Sequence, residues 1–161
     1  MSALENNGEN ALERGQIPEL GETPPLVSLH YELGRTLGTG RSSTVKEAVC
    51  RKTRGTFAVK IIVSETHPTH DTEIVLAHEA LVLRRVGHPN GHPNCVMLHR
   101  VIYCAQHSFL FMNKVPGGTV LERIQFSKGI SEVDSVHTIV CVCKALQYLH
   151  GLGIVHRGVE P

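Results

Sequence analysis

Two glycines separated by a single residue lie between two segments whose composition predicts β-strands. They belong to the sequence Leu37-Gly38-Thr39-Gly40, which is followed by Val45 in the second segment. Because glycine has no Cβ, the backbone of such a turn can approach a phosphate group closely. A glycine hairpin without a ligand would have the same sequence. No helix is predicted directly after the turn, which disfavours a Rossmann-type dinucleotide site.

A lysine and a glutamate lie further along the chain in apolar surroundings. Lys60 belongs to the β-branched run 56–63, which predicts a strand, and Ala58 shares its face because strand side chains alternate. Glu79 falls in the apolar stripe of a helix predicted over residues 71–86. A buried carboxylate without a partner is costly, so Glu79 requires a cation, and Lys60 is the natural candidate. The alternatives are an exposed strand lysine and a helix that turns Glu79 towards solvent.

The predicted strands and helices that carry these residues indicate an α+β fold. Their order is three strands, a helix, two strands and then helices, which favours two packed lobes. Residues 1–28 are polar and contain several glycines and prolines, so we expect a disordered or loosely packed tail. The predicted strands cover 31–37, 45–50, 56–63, 96–104 and 108–115, and the predicted helices cover 71–86, 120–126 and 131–150.

Composition excludes several classes of function. The chain has 161 residues with 16 basic and 15 acidic side chains, which disfavours a nucleic-acid binder and a protein drawn to anionic membranes. No apolar run approaches the roughly 18 residues of a membrane-spanning helix. The five cysteines are an odd number without an export signal, so we expect reduced thiols and a cytoplasmic location.

Together these residues resemble the small lobe of a eukaryotic protein kinase. The similarity runs from Tyr31 to Pro161 and points to the calcium/calmodulin-dependent group, with the doublecortin-like kinases nearest. The segments that carry it are, in chain order, YELGRTLGTG, FAVKII, EALVLRRVGHPN, VPGG and ALQYLHGLGIVHR. The resemblance implies a five-stranded antiparallel sheet plus one helix, followed by an incomplete helical large lobe. It implies a small lobe with hinge over 29–115 and a truncated start of the large lobe over 116–161.

The resemblance also implies an ATP-binding cleft. Ala58 matches the residue above the adenine, Lys60 the residue on the α- and β-phosphates, and Glu79 the helix partner of that lysine. Met112 matches the gatekeeper, and residues 113–115 match the hinge whose backbone binds adenine. The implied nucleotide-binding residues are Leu37, Gly38, Thr39, Gly40, Val45, Ala58, Lys60, Glu79, Met112, Asn113 and Val115.

The catalytic loop departs from the kinase pattern. Gly158 stands where the family has the Asp that accepts the substrate proton, and glycine cannot do this. Glu160 stands where the family has a lysine, which gives the wrong charge beside the transferring phosphoryl group. The sequence ends at Pro161, before the family's Mg²⁺ ligands. We therefore expect an inactive, truncated Ser/Thr kinase domain; the alternative is a pseudokinase-like module that binds nucleotide or protein without catalysis.

Further departures predict weaker nucleotide contacts. Ser42 replaces the usual aromatic residue at the tip of the glycine loop. Asn113 replaces an acid that is common in the hinge, and Thr119 replaces an acid that often meets the ribose.

The sequence GHPN occurs twice in succession, at residues 87–90 and 91–94, where the family has a single copy of HPN. His88, His92, Cys95 and His99 superficially suggest a zinc site. The tandem copy explains two of these histidines, and no C-x-x-C pair accompanies them, so zinc is disfavoured.

The helix predicted over 131–150 has an apolar stripe that packs against other helices in the family. Without those helices the stripe is a candidate surface for a protein partner.

Overall fold

The structure is a computed structural model that describes residues 22–40, 43–63, 70–104 and 107–160. Its fold is the predicted α+β arrangement: a five-stranded antiparallel sheet accompanied by a few helices. In chain order the elements are α1 Pro25–Ser28, β1 Tyr31–Thr39, β2 Ser43–Cys50, β3 Thr56–Val63, α2 His70–Gly87, β4 Leu98–Tyr103, β5 His107–Asn113, α3 Val120–Ser127 and α4 Glu132–Gly151.

The sheet has the strand order β1-β2-β3-β5-β4, and every neighbouring pair is antiparallel. β3 is therefore central and has a hydrogen-bonded neighbour on each side, a position that suits its β-branched run. Each predicted strand and helix is present, with ends that differ by one or two residues. Such differences are ordinary, because the ends of elements are the least determined by residue pattern.

One face of the sheet carries the hydrophobic core. Val59 lies opposite Phe111 and Ile61 lies opposite Phe109, so four apolar side chains form adjacent cross-strand pairs. Tyr31 stacks on Phe111 with ring centroids 3.9 Å apart. Four of the seven Phe and Tyr residues, namely Tyr31, Phe57, Phe109 and Phe111, belong to this cluster, so the core is partly aromatic.

The end of the predicted N-terminal tail is ordered. Pro25–Ser28 form the short helix α1, and Val27 has 0% exposure because it packs into the core beside β1. Proline is favoured in the first turn of a helix, where its missing N–H is not needed. The side chain of Arg51 donates to the carbonyl of Ser28 at 2.9 Å, which attaches α1 to the end of β2. The reading of residues 25–28 as tail is therefore wrong, whereas residues 1–21 lie outside the described residues.

The second copy of GHPN is the one that packs against α4. The His92 ring stacks on Tyr148 with centroids 5.2 Å apart, and the side-chain amide of Asn94 donates to the carbonyl of Cys141 at 3.0 Å. The Tyr148 hydroxyl donates to the carbonyl of Val86 at 2.8 Å, at the end of α2. The first copy, by contrast, presents residues 88–90 to solvent. The four additional residues are therefore accommodated in a surface loop, which costs little.

Helices α3 and α4 begin at well-formed caps. Ser131 is the N-cap of α4 and accepts a hydrogen bond from the backbone N–H of Asp134 at 3.1 Å. On α4, Leu149 is buried, whereas Val133, Val136 and other apolar side chains are exposed. Within the described ranges, no helix combines the length and the apolar character needed to cross a membrane.

Candidate functional site

The face of the sheet opposite the core carries the residues predicted to do chemistry. In antiparallel strands, directly opposed residues point to the same face. The register of β2, β3 and β5 therefore places two adjacent rows on this face, here called the cleft face. The first row is Val45, Lys60 and Leu110, and the second is Glu47, Ala58 and Met112.

Lys60 and Glu79 form an ion pair between β3 and α2. Lys60 Nζ lies 2.6 Å from Glu79 Oε1, and the two side chains are 28% and 32% exposed. Lys60 is therefore the partner of Glu79, as predicted. The alternative of a helix that turns Glu79 towards solvent is excluded. Because α2 also packs against β4, the helix holds the carboxylate against the cleft face. The pair fixes an ammonium group that retains two further N–H donors.

The glycine segment ends β1 and enters the turn to β2. Gly38 lies opposite Val45, and the backbone N–H of Gly40 donates to the carbonyl of Ser43 at 2.8 Å. A Cβ added at Gly38 would meet no described atom within 4 Å, and the φ of Gly38 is not positive. Neither packing nor backbone strain among the described residues therefore requires glycine at position 38. Ser42, the residue at the predicted tip, lies outside the described residues.

The hinge residue Asn113 is bonded to the start of β4. Its side-chain Oδ1 accepts from the N–H of Met97 at 2.6 Å, and its own N–H donates to the Met97 carbonyl at 3.1 Å. Asn113 lies opposite Phe57, on the core side of the sheet, so its amide is turned away from the cleft face. Val115, the last hinge residue, has an exposed side chain.

The side chain of Thr119 caps helix α3. Its hydroxyl accepts from the N–H of Glu122 at 3.1 Å, and its own N–H donates to Glu122 Oε2 at 2.7 Å. This reciprocal arrangement is a capping box at the start of α3. The preceding Gly118 has φ +72°, a backbone conformation that other residues rarely adopt, so glycine is favoured at this position.

A second ion pair on this side of the sheet was missed by sequence reasoning. Lys114 Nζ forms a close ion pair with Glu47 Oε2, and the side chains are 28% and 24% exposed. The hydrogen bond from Lys114 is the main reason that the pKa of Glu47 lies below its ordinary value; a weaker contribution comes from Arg35, while desolvation opposes the shift. The alternation of residues in β2 signals that Glu47 shares a face with Val45, but nothing in the sequence identifies Lys114 as its partner.

The catalytic-loop residues are exposed at the edge of a groove. His156, Gly158 and Glu160 are all exposed, and Arg157 has φ +62°. These residues line one side of an open groove of about 1250 Å³, whose other walls are α2, α4 and residues 94–96. Glu79 also lines this groove. The structure therefore brings Gly158 and Glu160 to the same open space as Glu79, but gives neither of them a bonded partner among the described residues.

Metal-binding groups are the last candidates. Across 22–40, 43–63, 70–104 and 107–160, no three His, Cys, Asp or Glu side chains lie close enough together to hold a metal ion. Two of the four residues that superficially suggested zinc have aromatic contacts: His92 stacks on Tyr148, and His99 packs edge-on against Phe57 at 5.1 Å.

A comparison with known proteins identifies the family. Residues 31–161 match the protein kinase domain. This chain belongs to the protein kinase domain family. The match begins with the first residue of β1 and includes all five strands, which agrees with the sheet topology described above. The Lys60–Glu79 ion pair lies within the matched residues.

Curated relatives of the kinase domain share about a third of its residues. The human serine/threonine-protein kinase DCLK2 is 37% identical across 96% of this chain. The human serine/threonine-protein kinase DCLK3 is 35% identical across 84% of it, and the mouse serine/threonine-protein kinase DCLK1 is 32% identical across 94%. In each case the chain spans 20% of the relative's length. The resemblance to the doublecortin-like kinases predicted from the sequence is thereby confirmed.

Proposed function

We propose that this chain binds ATP on the cleft face of its sheet and does not transfer the phosphoryl group. The observation that carries the proposal is the Lys60–Glu79 ion pair at 2.6 Å. An ammonium group held by a carboxylate beside a glycine turn suits the phosphates of a nucleotide. The proposal includes the domain division inferred from the sequence, with the nucleotide site in residues 29–115 and the beginning of the large lobe in residues 116–161.

Three features of the cleft face support nucleotide binding. Ala58 has the smallest side chain in its row, which leaves room for a flat ring between the larger side chains on either side. Gly38 lacks a Cβ although nothing among the described residues excludes one, so its backbone is free to approach a phosphate. The side chain of Asn113 is turned away, which leaves the hinge to bind a base through its backbone, as the resemblance implies. The remaining residues of the proposed site are Leu37, Thr39, Gly40, Val45, Met112 and Val115.

The absence of phosphoryl transfer is inferred from the catalytic loop. Phosphoryl transfer depends almost entirely on positioning and charge stabilisation. Gly158 offers no base to the attacking hydroxyl, and Glu160 adds negative charge where the family has a cation. This proposal is that of a pseudokinase-like binding module.

Titration calorimetry of residues 1–161 with ATP, with and without Mg²⁺, tests the binding proposal. Lys60→Met removes the ammonium group and should weaken ATP binding about tenfold or more, because a lost charge-assisted bond costs about 1.5–3 kcal/mol. Lys46→Met is the matched control, since Lys46 lies opposite Val59 and therefore points away from the cleft face. Saturable binding that only Lys60→Met weakens supports the proposal, whereas equal binding by all three proteins contradicts it.

A phosphotransfer assay tests the second half of the proposal. Transfer of labelled phosphate from ATP to a mixture of Ser/Thr peptides should not exceed the level measured with Lys60→Met. A rate that is clearly above this background and is lost in Lys60→Met would show an active kinase and contradict the proposed loss of catalysis.

A second candidate function is protein binding by α4. Val133, Val136 and Ile139 expose more than half of their side-chain surface on one helix, and exposed apolar faces commonly mark interaction sites. If this face binds protein, Ile139→Lys should abolish that binding and leave the affinity for ATP unchanged. Sedimentation measured over a range of concentrations tests the simplest case, which is association with a second copy.

A further inference from the structure

The Glu47–Lys114 ion pair connects two parts of the sheet that are not neighbours. Glu47 lies in β2, and Lys114 follows directly after β5. β3 lies between these strands, and neighbouring strands are about 4.8 Å apart, so β2 and β5 are separated by about 10 Å. Only two long side chains that extend towards each other can meet across this distance. The pair must therefore pass across the surface of β3.

The register shows on which face the pair crosses β3. Glu47 lies directly opposite Ala58, so both side chains project from the cleft face. Asn113 is turned to the core side, where it bonds Met97, and the residue that follows it in an extended chain projects to the other side. Glu47 and Lys114 consequently meet on the cleft face, at the end of β3 that contains Ala58. This is the end nearest the hinge.

We propose that the Glu47–Lys114 ion pair is an internal competitor for the nucleobase. The inference rests on the proposed function, in which Ala58 covers the base and the hinge backbone binds its edge. The pair occupies the hinge side of the space that the small side chain of Ala58 leaves open. A purine must displace the two charged groups to reach its position, so Glu47 and Lys114 determine the affinity and set it below that of an unobstructed cleft.

The charges of the pair strengthen this competition. The pKa of Glu47 is lowered chiefly by its hydrogen bond from Lys114, so the carboxylate is ionised at neutral pH when a ligand arrives. Both side chains are about three-quarters covered. A ring placed against Glu47 and Lys114 would exclude most of the water that still contacts their charged groups. It would not replace the hydrogen bonds that this water makes, and such desolvation is unfavourable for an ion pair.

Calorimetric titration of residues 1–161 with adenosine and with ATP tests the inference. Lys114→Met and Glu47→Gln remove the pair from opposite ends while keeping the length of each side chain. Both should bind adenosine about fivefold more tightly than the unmodified chain, in line with the strength of partly exposed pairs. Exchanging the two residues, Glu47→Lys with Lys114→Glu, restores a pair and should return the adenosine affinity to within about twofold. Lys46→Met on the opposite face is the matched control and should change neither affinity.

Adenosine carries no phosphate, so its binding reports competition between the ion pair and the base. It does not report the attraction of phosphates to the net charge of the cleft. If only net charge mattered, Lys114→Met would weaken ATP binding, Glu47→Gln would strengthen it, and neither would alter adenosine binding. Unchanged or weaker adenosine binding by Lys114→Met and Glu47→Gln would overturn the inference, while Lys60-dependent ATP binding would leave the proposed function intact. If no variant binds either ligand although each melts cooperatively, the proposed function and the inference both fail.

Discussion

The side chain of Asn113 stabilises the local backbone, although its position in the family motif suggested a contact with the nucleotide. The resemblance places this residue in the hinge, where its replacement of an acid predicted a weaker nucleotide contact. In the structure its amide oxygen accepts from the N–H of Met97 at 2.6 Å, so the side chain closes the junction between β5 and β4. Thr119 is similar, because its hydroxyl caps α3. At both positions the side chain stabilises the local backbone.

Substitutions at Asn113 can separate these roles. Asn113→Asp keeps an oxygen acceptor for the Met97 N–H and should change the free energy of unfolding by less than about 0.5 kcal/mol. Asn113→Ala leaves that donor without a partner and should lower the free energy of unfolding by about 1–3 kcal/mol. Urea denaturation measures both values. Equal stability of the two variants would show that the hydrogen bond to Met97 is not important.

At the scale of elements, the tandem GHPN repeat shows what packing adds to a sequence motif. The two copies have identical residues, and the sequence does not indicate which one takes the family's single position. The structure distinguishes them, because His92 and Asn94 contact α4 while residues 88–90 are exposed. The loop between α2 and β4 is thereby attached to the large-lobe segment through its second copy.

The two histidines of the repeat form a matched pair for mutagenesis. His92→Ala removes the stacking on Tyr148 and should lower the free energy of unfolding by about 1 kcal/mol, the usual size of an aromatic contact. His88→Ala makes the same chemical change at an exposed position and should alter stability by less than about 0.5 kcal/mol. Thermal or urea unfolding of both variants provides the comparison. A larger effect of His88→Ala would mean that the first copy is the one that packs.

At the scale of the whole molecule, the two faces of one sheet have separate tasks. One face packs Val59, Phe109 and Phe111 into the core, and the other presents Lys60 and Ala58 to the cleft. Because side chains alternate along a strand, the core residues and the site residues of β3 are direct neighbours in sequence. The rigidity of the central strands therefore holds the proposed nucleotide site in place.

This arrangement predicts where stability is concentrated. Phe111→Leu should lower the free energy of unfolding by about 1–2 kcal/mol, since Phe111 is fully buried and stacks on Tyr31. Phe126→Leu makes the same change in α3 at a side chain that is 94% exposed, and should have little effect. Hydrogen exchange should be slowest in β3 and β5 and faster in α3, where no side chain is buried. Comparable protection in α3 and β3 would contradict this picture.

The residue pattern predicted the order of the elements and proposed Lys60 as the partner of Glu79, and the resemblance to kinases predicted the five-stranded sheet and the family. Alternating apolar residues and glycine turns define strands locally, and the position of Glu79 in an apolar stripe predicts a nearby cation. The argument from composition failed for α1. It predicted a tail over residues 25–28, although Val27 is buried there. The cytoplasmic location and the division of the chain at residue 116 stay predictions.

Three contacts became known from the structure alone: the packing of the second GHPN copy against α4, the hydrogen bond of the Asn113 amide and the ion pair of Lys114 with Glu47. Each of these contacts joins residues that are distant in sequence, and each depends on the register between strands or on the position of a helix. The hydrophobic pattern of a sequence predicts the face of a strand or helix on which a residue lies. It does not predict which distant residue that side chain contacts.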